Sequence, residues 1–415
     1  MKILRLAMAA LVMVMYSQCN ETIVPGIGST GGNYTVTVEN VSTNYSFFES
    51  GVSSIQEGST MAGPALPGGS FKFSFHAGPN HKLSFATMYG WSNDGFFAPE
   101  GKGITLYSDS VTPVSGDITS QIMLWDDGTK INQMPGASNM HNSADENNPV
   151  QLMSAVNDGF NYGTVVTNLK VTLEYKGNSL FTVTVENLKG STTAISPVAW
   201  VVHTMPNPLF EAGKVDYGKG LKNIAQSGNT SILGPYLAMN SGYVSPVAPV
   251  LWLLNDKHDK PIFTLGAPDY GMGLEQLAEM GNPEPLYQSL LAKGYKTGFQ
   301  SMHGGGGSGP ALPGQKFMFS ITADPGQTLS LTCMLGASND IFFSTGEDGI
   351  KLPNGIGEKD FTPYINLYDA GTEVNEYPGA QTKKNTVENG VVRLLNDSLP
   401  WPSAHKVIKV TIRKN

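Results

Sequence analysis

The chain has 415 residues, long enough for two domains that each bury a core of their own. Only 14 % of the residues are charged, and the net charge of −8 is spread without a basic cluster or an acidic tail, which argues against a nucleic-acid partner. Glycine (48) and proline (26) punctuate alternating runs of Val, Thr, Phe and Tyr, the composition of an all-β protein.

Residues 1–15 carry Lys2 and Arg5 ahead of the apolar run 6–15, the pattern of an export signal and too short for a permanent membrane anchor. The run stops at Cys19, so residues 1–19 resemble a bacterial lipoprotein signal in which that cysteine is lipidated and becomes the mature N-terminus. Gln18 stands where that pattern prefers a small residue, and ordinary secretion is the alternative. Either way the protein is expected outside the cytoplasm, touching a membrane only through lipid on Cys19. Cys333 lies in an apolar strand and is expected to be a buried small hydrophobe, which leaves the mature fold without an internal disulfide. Residues 20–32 read as a polar, Gly-rich tether. Their formal G-x-G-x-x-G (26–31) has no strand before it and no helix after it, so it is a spacer and no dinucleotide site.

Residues 34–40 (YTVTVEN) alternate in the strand period and recur as 181–187 (FTVTVEN), as if opening two domains. Residues 169–175 (LKVTLEY) match the closing run 408–414 (IKVTIRK). These runs place a boundary at 176–178 and predict two tandem antiparallel β-sandwiches, residues 33–176 and 178–415. Residues 63–97 and 309–343 align with 20 of 35 positions identical, which establishes a duplication. The second domain then holds an insert, residues 196–286, with its own repeat: 209–221 recurs as 262–274, and Ser196-Pro197-Val198-Ala199 as Ser245-Pro246-Val247-Ala248. It reads as a strand, a turn and a short helix, twice. Leu274, Leu277, Leu286 and Leu290 give two short helices one apolar face each, either packed on the sandwich or open to a partner.

One turn is built twice. Residues 124–136 read LWDDGTKINQMPG and residues 367–379 read LYDAGTEVNEYPG: a strand ends in an aromatic (Trp125, Tyr368), then an acid, then a glycine where a side chain would obstruct a tight turn. Asp369, Glu373 and the turn's carbonyls could gather around a hard cation such as calcium. Lys130 replaces the second acid in the first copy, so any binding there should be weaker. The competing reading is that these acids only cap backbone amides.

With S-N-D-x-F-F at 338–343 followed by D-A-G-T-E-V-N-E-Y-P-G at 369–379, the second domain resembles the spondin N-terminal domain in its bacterial secreted form. The likeness runs from the opening V-T-V-E-N-L through Ser196-Pro197, Leu209-Phe210-Glu211, the A-x-x-G-N at 225–229 and the L-P-G beginning at Leu312. Residues 34–175 resemble the family more faintly, without a Ser-Pro strand block. The resemblance implies an antiparallel β-sandwich that serves in adhesion and matrix recognition. It also implies a calcium site at Asp340, Asp369 and Glu373, with Asp94 and Asp126 as the weaker first-domain counterparts. Asn339 and Asn93 stand where the family has proline. Ile341 and Gly95 stand where animal members have tryptophan, so their recognition surfaces do not carry over.

Enzyme signatures are thin. The seven histidines show no metal-ligand spacing, and His303-Gly304-Gly305-Gly306 resembles an esterase oxyanion loop in a chain that has no G-x-S-x-G. A carboxylate pair for glycoside cleavage is a spatial matter that spacing does not decide. Trp91, Phe96, Phe97, Tyr107, Phe342 and Phe343 either form a sugar or protein platform or fill the core. The expected function is a non-catalytic, calcium-binding adhesion and recognition module whose ligand is a surface protein or glycan. The alternatives are a secreted carbohydrate-active or other hydrolytic enzyme and a purely structural envelope component.

Overall fold

The computed structural model describes residues 31–136, 138–256, 259–302, 309–381 and 386–415. The expected export signal, Cys19, most of the tether and the 303–306 loop lie outside the described residues. In chain order the first half contains β1 (Gly32–Asn40), β2 (Glu49–Ser53), β3 (Ser70–His76), β4 (Lys82–Met88), β5 (Gly95–Pro99), β6 (Ile104–Thr105), β7 (Gly116–Asp117), β8 (Ile122–Asp126) and β9 (Gln151–Leu152). It continues with α1 (Val165–Asn168), β10 (Leu169–Gly177), β11 (Leu180–Asn187), β12 (Val198–His203), α2 (Leu221–Ser227) and α3 (Leu233–Met239). The second half contains β13 (Val250–Asn255), α4 (Leu274–Met280), α5 (Glu284–Ala292), β14 (Lys296–Gln300), β15 (Lys316–Ala323), β16 (Thr328–Met334), β17 (Ile341–Ser344) and β18 (Ile350–Lys351). It ends with β19 (Gly357–Asp360), β20 (Asn366–Asp369), β21 (Arg393–Leu394) and β22 (Ile408–Lys414).

The strands form antiparallel sheets, as an all-β composition predicts. The first sandwich faces the sheet β3-β11-β10-β7 against β2-β12-β4-β5-β8-β9, with β6 beside β4. The second faces β15-β1-β22-β19 against β14-β13-β16-β17-β20-β21, with β18 beside β16. In the smaller sheets one face is wet, and the strands alternate accordingly: Tyr34, Val36 and Val38 of β1 are buried while Thr35, Thr37 and Glu39 are partly exposed. In the larger sheets both faces are covered. Every residue of β12 is buried, because Trp200 and Val202 enter the sandwich core while Ala199 and Val201 meet Leu221, Ile224, Leu233 and Leu237 of α2 and α3. The second sandwich repeats this third layer with α4 and α5, whose Leu274, Leu277, Leu286 and Leu290 are sealed against Leu251, Leu253, Phe342 and Tyr368. Packing on the sandwich is therefore what those leucines do.

Strand pairing does not follow the boundary expected at 176–178. Lys176-Gly177-Asn178 lies at a hairpin joining β10 to β11, two neighbours in one sheet, and Gly177, Asn178 and Ser179 carry the positive φ angles that such a tight reversal needs. β1 pairs with β15 and β22, so residues 32–40 complete the second sandwich. β11 pairs with β3, and β12 with β2 and β4, so residues 180–203 complete the first. The supposed insert at 196–286 divides likewise: β12, α2 and α3 serve the first sandwich, and β13, α4 and α5 the second. The first sandwich thus has its own Ser-Pro block. The reason is physical: 34–40 and 181–187 are nearly the same strand, and either could fill the slot between two partners.

The sandwiches meet at one end. Tyr377 stacks on His76 with ring centroids 3.6 Å apart, Phe48 packs beside His81 and Tyr377, and the backbone at Ala380 approaches Gly78 so closely that a Cβ there would lie 1.6 Å from the Ala380 carbonyl oxygen. Only glycine fits that contact. The second copy's closing Pro-Gly turn is thus a docking element, whereas Gly136 of the first copy has open space around it.

Candidate metal-binding turns at the sandwich rims

In the second sandwich, β20 delivers Asp369 to the rim and the turn before β17 delivers Asp340. Asp340 Oδ2 accepts hydrogen bonds from Thr372 N (2.8 Å), Thr372 Oγ1 (3.1 Å) and Glu373 N (3.0 Å), which clamps the Gly-Thr turn to the neighbouring strand. Its Oδ1 is buried and has no hydrogen-bond partner. Asp369 Oδ1 accepts Gly371 N (2.7 Å), and Oδ2 accepts Asn375 Nδ2 (2.7 Å) and Arg393 Nη2 (2.6 Å). Asp369 is therefore fully engaged, as in the reading where these acids cap the turn. Burial pushes Asp369 upward, and Gly371, Arg393 and Asn375 pull it back.

Glu373 is different. Burial, then the negative charges of Glu279, Asp340 and Glu376, push its carboxyl up to about 7. Burial also pushes Asp340 up to about 6. Glu279 reaches this rim from the last turn of α4 and is raised as well, chiefly by burial. Glu279 and Glu373 share a cleft of about 550 Å³ with Ser338, Asn339, Gln381 and Asn80, the last contributed by the first sandwich. A wider cleft of about 710 Å³ beside Trp401 and His405 contains none of these turn acids.

The first sandwich repeats the clamp. Asp94 Oδ2 accepts Thr129 N (2.7 Å), Thr129 Oγ1 (3.1 Å) and Lys130 N (2.8 Å), and Oδ1 is again buried without a partner. Burial, with Asp126 nearby, pushes Asp94 up to about 6. Asp126 accepts Gly128 N (2.9 Å) and Asn132 Nδ2 (3.1 Å). Lys130, expected in the place of the missing acid, turns its ammonium away to Asp145 (3.1 Å) and the Ser143 carbonyl (2.9 Å). Gln226 occupies the position of Glu279 and donates to Thr129 Oγ1 (3.0 Å).

The structure therefore brings Asp340 and Asp369 to one turn with Glu373 beside them, and Asp94 with Asp126 to the other. Among the described residues no three Asp, Glu, His or Cys side chains stand together as a metal cage. A cation at either rim would need main-chain carbonyls and water as well. Glu279 and Arg393 escaped sequence reasoning because each arrives from a distant element. The internal repeat that aligns Glu279 with Gln226 was the available signal.

The aromatic platform is not there: Phe96, Phe97, Tyr107, Phe342 and Phe343 are buried, and only Trp91 of that group is partly exposed. Cys333 is buried, and burial pushes its thiol far up, away from reactivity. Two Ser–His pairs occur among the described residues: Ser403 Oγ lies 3.4 Å from His405 Nε2 on an exposed turn, and Ser84 Oγ lies 2.9 Å from His203 Nε2, with His203 Nδ1 on the Met205 carbonyl at 2.6 Å. Ser84 and His203 are sealed from solvent, and burial holds His203 neutral, at about 4. No substrate can reach Ser84 and His203 in this arrangement.

No protein-family model matches the chain, and no curated protein matches it.

Proposed function

We propose that the chain is an exported, non-catalytic binding protein of the spondin type, held at the cell surface through lipid on Cys19, in which calcium stiffens a recognition rim. The observation that supports this most is the shared geometry of Asp94 and Asp340. Each spends one oxygen clamping the next turn and keeps the other buried without a donor. An orphaned buried carboxylate oxygen is costly, and a hard cation offsets that cost.

At the second rim, Asp340 and Glu373 fit such a cation, and Glu279 faces them. Asp369 does not: its oxygens hold Gly371, Asn375 and Arg393, so it braces the turn. Calcium supplies the positive charge that lets Asp340 and Glu373 remain ionised together near neutral pH. The residues themselves fix the loop, keep the cleft polar and border the junction with the first sandwich, where a surface protein or glycan would be met.

Calcium titration by calorimetry tests this, with wild type compared against Glu373→Gln and Asp340→Asn. Heat and a raised melting midpoint in wild type, with one fewer ion bound and a smaller rise in both variants, is the expected result. An unchanged number of bound calcium ions in both variants would sink the assignment. The hydrolase alternative draws on Glu279 and Glu373 sharing one cleft. Turnover of a glycan panel that collapses on Glu279→Gln would replace the binding reading.

A further inference from the structure

The first rim carries an acid that the resemblance does not use. Asp127 follows Asp126 at the end of β8, and strand alternation turns it away from Asp126, to the side of Trp125 and α2. There it is wholly buried, and neither carboxylate oxygen makes a well-formed hydrogen bond: its polar neighbour Thr129 already donates its hydroxyl to Asp94. The charges that act on it most are acidic, Asp216 first and then Asp94. Asp216 lies in the loop that leads into α2. Its Oδ1 is fixed by Gly218 N (2.7 Å), and its Oδ2 is buried and unpartnered. Three lysines of this end of the sandwich are directed elsewhere: Lys130 and Lys222 toward Asp145, and Lys219 over the Tyr236 ring.

The second sandwich has Ala370 at the position of Asp127, where it packs in the core. Relative to that copy, the first rim has lost an acid at Lys130 and gained one at Asp127, next to Asp126 and on the opposite face. A buried carboxylate with two bare oxygens, opposed by a second carboxylate with one, is a poor way to build a core and a sound way to hold a cation.

We propose that the first sandwich binds a hard divalent cation of the calcium type through Asp127 and Asp216, independently of the second rim. Main-chain carbonyls and water complete the ligand set.

The test uses the full chain in a Glu373→Gln background, so that the second rim does not report. Calcium is titrated by calorimetry, terbium luminescence is excited through tryptophan because Trp125 lies two residues from Asp127, and melts are recorded in chelator and in millimolar calcium. The variants are Asp127→Ala, which copies the second sandwich, and Asp216→Asn. In chelator, Asp127→Ala should melt above its parent, since it removes an unpartnered buried acid. In calcium the parent should rise and both variants should not, with one fewer ion bound and the terbium emission lost. Unchanged stoichiometry and emission in the variants would overturn the site. So would a parent that responds to pH but not to calcium, which would make Asp127 a buried neutral acid. Either result leaves the second-rim reading standing, because that reading is tested on Asp340 and Glu373.

Discussion

Gly371 sits at φ 71°, and a Cβ built on it would lie 2.6 Å from the backbone nitrogen and oxygen of Val391. Gly128 repeats the constraint at φ 67°, 2.4 Å from the Asn148 carbonyl oxygen. Gly371→Ala therefore meets both backbone strain and a collision with main chain, and should cost about 1–3 kcal/mol, measured by denaturant unfolding. It should also weaken any cation binding at the second rim, since Gly371 N is what orients Asp369. The titration of the rim acids gives a second expectation. Asp94 and Asp340 are raised from 3.8 to about 6, and Glu373 from 4.5 to about 7. Between those ordinary and shifted values the folded state holds more protons than the unfolded one, so stability falls as pH rises through the window. Their contribution is complete below about pH 4 and gone above about pH 7. In chelator the melting midpoint should drop from pH 5 to pH 7.5, and Glu373→Gln should flatten the upper part of that slope. A variant that tracks wild type across the whole range would show that Glu373 is not the group responsible.

At the level of elements, β1 is the strand on which the second sandwich depends. It lies between β15 and β22, and Tyr34, Val36 and Val38 enter that core. Val36→Asp places an unpaired charge there and should destabilise the second sandwich by about 3–5 kcal/mol while sparing the first. Trp252 and Trp401 would report the loss, and Trp125 and Trp200 the unaffected half. If the first sandwich melted instead, the pairing of β1 would be refuted. The existence of such strands was legible, because alternation follows from one wet face. So were the helices: the spacing of Leu274, Leu277, Leu286 and Leu290 points to two short ones, and α4 spans Leu274–Met280 and α5 Glu284–Ala292. Partnership was not legible. The same seven-residue strand at 34–40 and 181–187 carries no mark of which sheet it joins, and a Gly-Asn reversal reads equally as a linker or a hairpin. The candidate site shows the same limit. Asp340, Asp369 and Glu373 could be found in local motifs, but Glu279 reaches the rim only because α4 packs on the large sheet. Asp127 was visible in its motif, and its significance emerged only once strand alternation had placed it on the α2 side, where the charge of Asp216 acts on it.

Across the whole molecule, the pairing makes the first sandwich an insertion within the second. The chain leaves the second sandwich after Asn40, and Asn40 Nδ2 donates to the carbonyls of Ser245 (2.9 Å) and Ala311 (2.9 Å), just where the chain returns. The ends of the inserted body also touch: Phe47 bridges Ser241, with Phe47 N on the Asn240 carbonyl (2.9 Å) and Gly242 N on the Phe47 carbonyl (3.0 Å). A body whose ends are adjacent and whose core is its own should survive excision. Residues 44–242 alone should fold and melt cooperatively, and so should residues 31–42 joined by a short Gly/Ser link to 244–415. Fragments cut at 33–176 and 178–415 should not: the first lacks β11, which fills the gap between β3 and β10, and the second lacks β1, so each exposes a core and two unpaired strand edges. Circular dichroism melts and proteolysis of the four fragments decide the matter. Cooperative melting of the fragments cut at 176–178, with failure of the excised pair, would restore the boundary suggested by the repeats. If the excised bodies fold, mixing them tests the junction separately, because His76, Gly78 and Phe48 on one side and Tyr377 and Ala380 on the other are then among the contacts that hold them together. Binding that is lost on Gly78→Val would mean that the two rims are held in a fixed relation by that contact, and that a ligand at the cleft containing Asn80 and Glu373 meets both sandwiches at once.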